Sequence, residues 1–307
     1  MEKIMRHLLE LWDWTGAEIL DLLKEAGRLK KAHQRGKNKP SLQGHVLGLI
    51  FEKPSLRTRV SFQAAIAQLG GSSIFLSGPE VGLGSRETVA DFARTISNYV
   101  SAVVLRTFKH ETVEEFAAHA ACPVVNGLSD YSHPCQALGD LLTLQEQCAP
   151  IEGRTLVFVG DGNNVARSLA IGCGKLGIHF ILAAPEGYGF DEAFLKHYRR
   201  AIAGGDLQQT SDPRKAVRAA DIIYTDVWAS MGQESERGQR QRQFARFQVN
   251  ADLFRLAPPQ ARFMHCLPAH RGEEVTSDIL DSDKSIVFDQ AGNRMHAQKA
   301  LLEWLLK

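Results

Sequence analysis

Three cations, Lys53, Arg57 and Arg59, fall within FEKPSLRTRVSF, residues 51 to 62, beside the hydroxyls of Ser55 and Thr58. Guanidiniums are fixed forks of donors, and with neutral hydroxyls next to them they suit a phosphate dianion. The cluster lies where an apolar run, HVLGLIF, meets Pro54 and Ser55. Val60, Ala64, Ala67 and Leu69 then recur at helical spacing, so the pattern predicts a strand, a turn and a helix. The first amides of such a helix lack intrahelical partners and carry partial positive charge, which adds to the pull on an anion. A solvated basic helix start with a serine cap is the plainer reading of the same stretch.

Four further stretches carry candidate chemistry. TLVFVGDGNNVARSLA places Gly160 and Gly162 between a strand and a helix, as a dinucleotide site would. Val165 stands at the third glycine position, however, and no acidic residue ends the next strand to bind a ribose, so a nicotinamide dehydrogenase is disfavoured. DVWASMG ends a strand with Asp226, which can pair with an ammonium, and Ser230, Met231 and Gly232 follow on a loop able to close over a short aliphatic chain. MHCLPAH puts Cys266 near histidines, but His265 and Cys266 are neighbours on a strand and should face opposite ways. ESERGQRQRQFARFQ carries Arg237, Arg240, Arg242 and Arg246 with Glu234 and Glu236 beside them and no interleaved aromatic platform. It reads as a solvated helix face, not as a nucleic-acid surface.

The elements that must position these residues follow from composition and pattern. In 307 residues, 44% apolar and 23% charged, there is material for about two domains with large cores. Thirty-six Lys and Arg against thirty-five Asp and Glu leave a net charge of +1, so no bulk charge draws the chain to nucleic acid or to a membrane surface. Five cysteines without a C-x-x-C pair argue against a disulfide framework and a structural zinc site, and suggest a reducing, cytoplasmic compartment. The N-terminal stretch is interrupted by Glu2, Glu10 and Asp13 and does not read as a signal peptide, and no apolar run reaches membrane-spanning length. Thr15 to Glu18 has the spacing of a capping box.

Short β-branched runs alternate with helical patterns at 45–51, 72–76, 102–106, 123–127, 155–160, 179–184, 221–228, 262–267 and 285–290. This alternation predicts an α/β protein with parallel sheets covered by helices. Nine strands divide best into two doubly wound domains, with a boundary near residue 150 after a long helical stretch at 135–148.

SLRTR at 55–59, HPCQ at 133–136, DVWASMG at 226–232 and HCLP at 265–268, in that order, closely resemble the signature elements of ornithine carbamoyltransferases. The resemblance runs from the helix after Thr15 to NRMHAQKALL. It implies a carbamoyl-phosphate domain over 1–150 and an ornithine domain over 151–307, joined by long helices, with the C-terminal helix packing back on the first. It also implies a trimer with sites near the subunit interfaces, and no cofactor or metal.

By the same resemblance Ser55, Leu56, Arg57, Thr58 and Arg59 would hold the phosphate. Arg106 would reach the phosphate and the carbonyl oxygen, and His133 and Gln136 would complete the carbamoyl pocket, with Cys266, Leu267 and Arg294 as further contacts on carbamoyl phosphate. Asn164, Asp226, Ser230 and Met231 would recognise ornithine. Arg106, His133 and Cys266 would be the catalytic set, with Leu267-Pro268 in the cis form and no covalent intermediate on Cys266. The chain departs from the usual pattern at Leu56, where Thr is commoner, and at Gly82, where Gln or His is usual. The implied reaction moves the carbamoyl group to the δ-amine of L-ornithine, giving citrulline and phosphate. The alternatives are a sister carbamoyltransferase acting on putrescine or acetylornithine, and a non-catalytic anion-binding protein of the same fold.

Overall fold

The computed structural model describes residues 5–229 and 234–307. By internal contacts the chain separates into two compact units, one running to Leu142 and taking back Asn293–Lys307, the other Thr143–Gly292. The division falls inside two long helices, Pro134–Cys148 and Val287–Leu306.

In the first unit β1 (Val46–Phe51), β2 (Ser72–Ser77), β3 (Ala102–Arg106) and β4 (Val124–Leu128) form a parallel sheet in the order β2-β1-β3-β4. In the second, β5 (Thr155–Val159), β6 (His179–Ala183), β7 (Leu207–Thr210), β8 (Ile222–Thr225) and β9 (Arg262–His265) form one in the order β7-β6-β5-β8-β9. All the pairings are parallel. Central strands buried on both faces explain the unbroken apolar runs: AVVLR and LVFV are buried throughout.

Each order reverses direction once, between β1 and β3 in the first sheet and between β5 and β8 in the second. Connections leaving the two strands at such a point diverge to opposite faces and leave a crevice beyond their carboxyl ends, where ligands bind in open α/β sheets. The strand ends to inspect are therefore Phe51 and Arg106 in one unit, and Val159 and Thr225 in the other.

Two strand expectations need correction. SIVFDQ at 285–290 is not a strand, because the helix Val287–Leu306 begins within it. A short apolar run does not distinguish a buried helix turn from a buried strand. LQQT at 207–210 is the strand that pattern missed, a sheet edge with Gln208 and Gln209 exposed. Half-exposed polar edge strands lack the apolar signal.

The helix Leu56–Gln68 forms as expected, but its buried stripe is Thr58, Phe62, Ala65 and Ile66, while Val60 is half exposed. Phe62 and Ile66 offer far more apolar area than the alanines that suggested the other phase. The helix Gly16–Gln34 opens with the capping box foreseen, Thr15 accepting from the Glu18 amide and Glu18 accepting from the Thr15 amide. The C-terminal helix is fixed to the first unit by Trp304 against Trp14, ring centroids 4.4 Å apart. The buried Lys299 Nζ adds bonds to Asn38 Oδ1 and Gln68 Oε1. Among the described residues no helix is long and apolar enough to cross a membrane.

Candidate active site

In the first unit the turn after β1 leads to Ser55, the N-cap of the helix Leu56–Gln68, whose hydroxyl accepts from the Thr58 amide at 3.3 Å. Arg57 projects from the first turn and is exposed, as are Leu56 and Arg59. Arg59 stacks on Phe75 of β2, its guanidinium carbon 3.7 Å from the ring centroid. Thr58 is buried, and its hydroxyl accepts from Arg294 Nη2 at 2.8 Å. Arg106 ends β3 and is also buried. Burial first, then the guanidiniums of Arg294 and Arg57, push its pKa down to about 10.

The charges acting on Arg106 are thus themselves positive, and its Nε has no partner among the described residues. Lys53 adds to the cluster. It is buried over the Phe108 ring at 4.6 Å, and its pKa is lowered by burial and then by Arg106. Holding like charges together out of water costs free energy unless an anion joins them, so the arrangement is built for one.

His133 and Gln136 open the helix Pro134–Cys148. The loop before them is pinned by Asn126 Nδ2 donating to Ser132 Oγ at 2.8 Å. His133 is buried, and burial, Arg294 and Arg106 hold its pKa well below the ordinary imidazole value. It is therefore a neutral imidazole, able to donate one hydrogen bond but not to serve as a cation. Gln136 Nε2 donates to the buried Asp140 Oδ1 at 2.8 Å, which fixes the amide with its nitrogen toward that carboxylate and its oxygen on the other side. Ser55, Leu56, Arg57, Thr58, Arg106, His133, Gln136 and Arg294 all belong to this unit.

Cys266 and Leu267 belong to the second unit, on the turn after β9. There Asp226 follows β8 and is buried. Its Oδ2 accepts from Asn163 Nδ2 at 2.8 Å, and its Oδ1 from the Val227 amide and Cys266 Sγ, each at 2.8 Å. These donors are neutral, so the carboxylate is oriented without being neutralised, a setting that favours an ammonium ligand. Leu267 has φ 56°, and the Leu267-Pro268 peptide is cis, as the resemblance implies.

His265 is the last residue of β9 and Cys266 already lies on the turn beyond it, so strand alternation does not separate them as expected, and Cys266 Sγ comes within 4.8 Å of a ring nitrogen of His265. Its Nδ1 accepts from the Leu267 amide at 2.8 Å, and its Nε2 lies 3.2 Å from the fully buried Glu274. Asp226, His265 and Cys266 bring ligand-type atoms within 4.8 Å of one another. Both imidazole nitrogens are already engaged, which leaves no free lone pair on His265 for a metal.

The glycine-rich turn after β5 does not keep a place for a pyrophosphate. A side chain at Gly162 would come within 2.9 Å of the Gly189 carbonyl carbon and 3.0 Å of the Phe190 amide, so this glycine serves the contact of two turns. Asn163 Oδ1 accepts from the Val165 and Ala166 amides, occupying the helix start where a phosphate would sit. Asn164 follows, its Oδ1 on the Val165 amide. Asn163 is the residue that motif reading passed over, and nothing in an Asn-Asn pair says which member turns back to the neighbouring strand. Ser230 and Met231, assigned to ornithine, lie outside the described residues.

The region 6–146 matches the model of the "Aspartate/ornithine carbamoyltransferase, carbamoyl-P binding domain", and 152–305 that of the "Asp/Orn binding domain" of the same family. An anabolic ornithine carbamoyltransferase of Pyrococcus furiosus is 52% identical over 299 residues, covering 97% of this chain and 95% of its own. The ornithine carbamoyltransferase of Bacillus subtilis is 51% identical over 303 residues, covering 98% and 94%. A solved structure of ornithine carbamoyltransferase from Pyrococcus furiosus superposes with a TM-score of 0.94 at 52% identity, covering 97% of this chain and 96% of that one.

Proposed function

Since the chain belongs to the aspartate/ornithine carbamoyltransferase family, we propose that it transfers the carbamoyl group of carbamoyl phosphate to the δ-amine of L-ornithine, releasing citrulline and phosphate. It is a carbamoyltransferase, and its relatives at about half identity over nearly the whole chain carry the ornithine-specific name. The observation that carries the reading is a charge complement. One switch point buries guanidiniums that act on each other with like charge, and the other buries a carboxylate held by neutral donors. The first suits a phosphate, the second an amino acid's ammonium.

In this reading Ser55, Leu56, Arg57 and Thr58 take the phosphate, with Arg294 steadying Thr58. Arg106 and His133 donate to the carbonyl oxygen, and the Gln136 oxygen accepts from the carbamoyl nitrogen. Attack by the neutral amine forms the C–N bond and drives charge onto that oxygen. Donors fixed there stabilise the tetrahedral species more than the substrate. The C–O bond to phosphate then breaks, phosphate leaves with the electron pair, and the nitrogen loses its extra proton. Asp226 and Asn164 hold the amino-acid end, with Ser230 and Met231. Cys266, its S–H directed to Asp226, presents sulfur lone pairs toward the attacking amine, and Leu267 contributes its backbone.

We further infer a homotrimer, a cytoplasmic location and a place in arginine biosynthesis, the last supported by the anabolic relative. The domain roles follow the two family models, carbamoyl phosphate before residue 150 and ornithine after it. Offering ornithine, putrescine, acetylornithine and aspartate with carbamoyl phosphate, and measuring ureido product colorimetrically, tests the assignment. Product from ornithine alone supports it. Faster reaction with another amine makes the chain a sister enzyme, and no product from any of them rejects transfer.

A further inference from the structure

The arginine-rich segment after the second switch point is not uniformly solvated. On the helix Arg237–Phe244 and just beyond it, Arg237, Arg242 and Arg246 are exposed, but Arg240 is only 6% exposed. Its guanidinium makes three bonds, two of them inward and one to the exposed Glu236 a turn earlier. Nη1 donates to Asp161 Oδ2 at 2.6 Å and to the Trp228 carbonyl at 3.0 Å, while Nε donates to Glu236 Oε2 at 3.0 Å. The guanidinium also lies 5.0 Å from the Tyr188 ring centroid.

Those partners have a common topological meaning. Asp161 is on the turn leaving β5, two residues before Asn163, and Trp228 is on the chain leaving β8, two residues after Asp226. One nitrogen of Arg240 therefore joins the two lips of the crevice that the Asn163–Asp226 bond also spans. We propose that Arg240 is a positioning residue for the acceptor amino acid: it fixes the spacing of the two turns and keeps Asp161 docked on its guanidinium, so that Asp226 alone is set to receive the ligand ammonium. This rests on the ornithine reading given above and deepens it.

The electrostatics agree with the geometry. Burial raises the Asp161 pKa, Arg240 opposes the rise, and Asp226 adds to it, so the two carboxylates already feel each other with the arginine in place. Without Arg240 an unpaired buried carboxylate remains beside Asp226, the costliest way to break such a pair. Arginine also suits the task better than lysine, since a planar fork can serve a carboxylate and a carbonyl together and an ammonium is a single point charge.

The test uses the full chain as wild type, Arg240→Gln, Arg240→Lys and Arg240→Gln/Asp161→Asn. Ornithine KM and kcat are measured at saturating carbamoyl phosphate, and the carbamoyl phosphate Kd by calorimetry. Arg240→Gln should raise ornithine KM by about tenfold or more, because the two turns lose the guanidinium that joins them and a stranded Asp161 shifts them out of place, with carbamoyl phosphate Kd unchanged. Arg240→Lys should recover part of the loss, and so should adding Asp161→Asn, which removes the stranded charge. If Arg240→Gln fails to fold, the lysine variant decides, and an unchanged ornithine KM in it overturns the proposal. An Arg240→Gln enzyme with near-normal ornithine KM, or with equal losses for both ligands, also overturns it. A wild type that makes no citrulline instead removes the functional reading on which the proposal stands.

Discussion

Asn163 Nδ2 donates to Asp226 Oδ2 at 2.8 Å, so a residue on the turn after β5 is bonded to one at the end of β8, across the crevice where the second sheet reverses its strand order. The bond uses one oxygen of Asp226, and the other oxygen takes the Val227 amide and the Cys266 thiol. The carboxylate is thus fixed in orientation, and none of these three donors carries a charge that offsets its own.

Replacement of Asp226 by Asn keeps the shape and removes that charge. Ornithine should bind about 10- to 100-fold more weakly, the worth of a hydrogen bond to a charged group. Carbamoyl phosphate affinity should hardly change, because its proposed contacts on Arg57, Thr58, Arg106 and Arg294 lie in the other unit. Calorimetry with each ligand separates the two, and equal losses would indicate a folding defect in place of a lost ammonium contact.

Arg57 is exposed on the first turn of its helix and acts on the buried Arg106. Arg57→Ala removes a charge-assisted donor fork, expected to cost about 3 kcal/mol, roughly two orders of magnitude in turnover. Phosphate should bind more weakly as well. Steady-state kinetics close to wild type would exclude Arg57 from the phosphate site.

The sequence pattern made the two sheets and the phosphate cluster legible because each is a local signal. A β-branched run followed by Ser55, Arg57 and Thr58 at a helix start needs no knowledge of distant contacts. The misses are of the opposite kind. Val287 to Gln290 look like a strand until the rest of their helix is seen, and Leu207–Thr210 is a strand only because β6 pairs with it. Arg240 has the same neighbours in sequence as its solvated companions, and only the fold brings Asp161 to it. The choice between Asn163 and Asn164 depends on one backbone turn that an Asn-Asn pair cannot encode.

Acid should destabilise the protein through the buried histidines of the first unit. Burial, then Lys299, His33 and Lys30, lower the His296 pKa from 6.5 to about 4. The unfolded chain thus takes up the proton first, so this stability is intact above about pH 6.5 and is lost as pH falls toward 4, up to about 3 kcal/mol in all. His133 contributes with the same sign. Thermal midpoints followed from pH 7.5 to 4.5 should fall less steeply for His296→Gln than for wild type, and parallel curves would remove His296 from the cause.

The rate should depend on pH through the substrate amine. An alkylammonium has a pKa near 10.4, so presenting a neutral amine at pH 7 costs roughly 4 to 5 kcal/mol. His133, held neutral by burial and by Arg294 and Arg106, does not titrate above pH 6.5. At subsaturating ornithine, activity should therefore climb about tenfold per unit between roughly pH 6.5 and 8.5. Cys266→Ala should lower the rate yet keep that rise. A flat wild-type profile, or a covalent adduct trapped on Cys266, would contradict selection of the neutral amine.

The most direct measurement follows the bond itself. Carbamoyl phosphate labelled with carbon-13 and ornithine labelled at the δ-nitrogen with nitrogen-15 are incubated with the full chain, and the products are read by NMR. Transfer to the δ-amine gives citrulline whose ureido carbon is split by the labelled nitrogen, with one phosphate released per coupling formed. Phosphate release without that splitting, or carbon label on any other nitrogen, would contradict carbamoylation of ornithine by this protein.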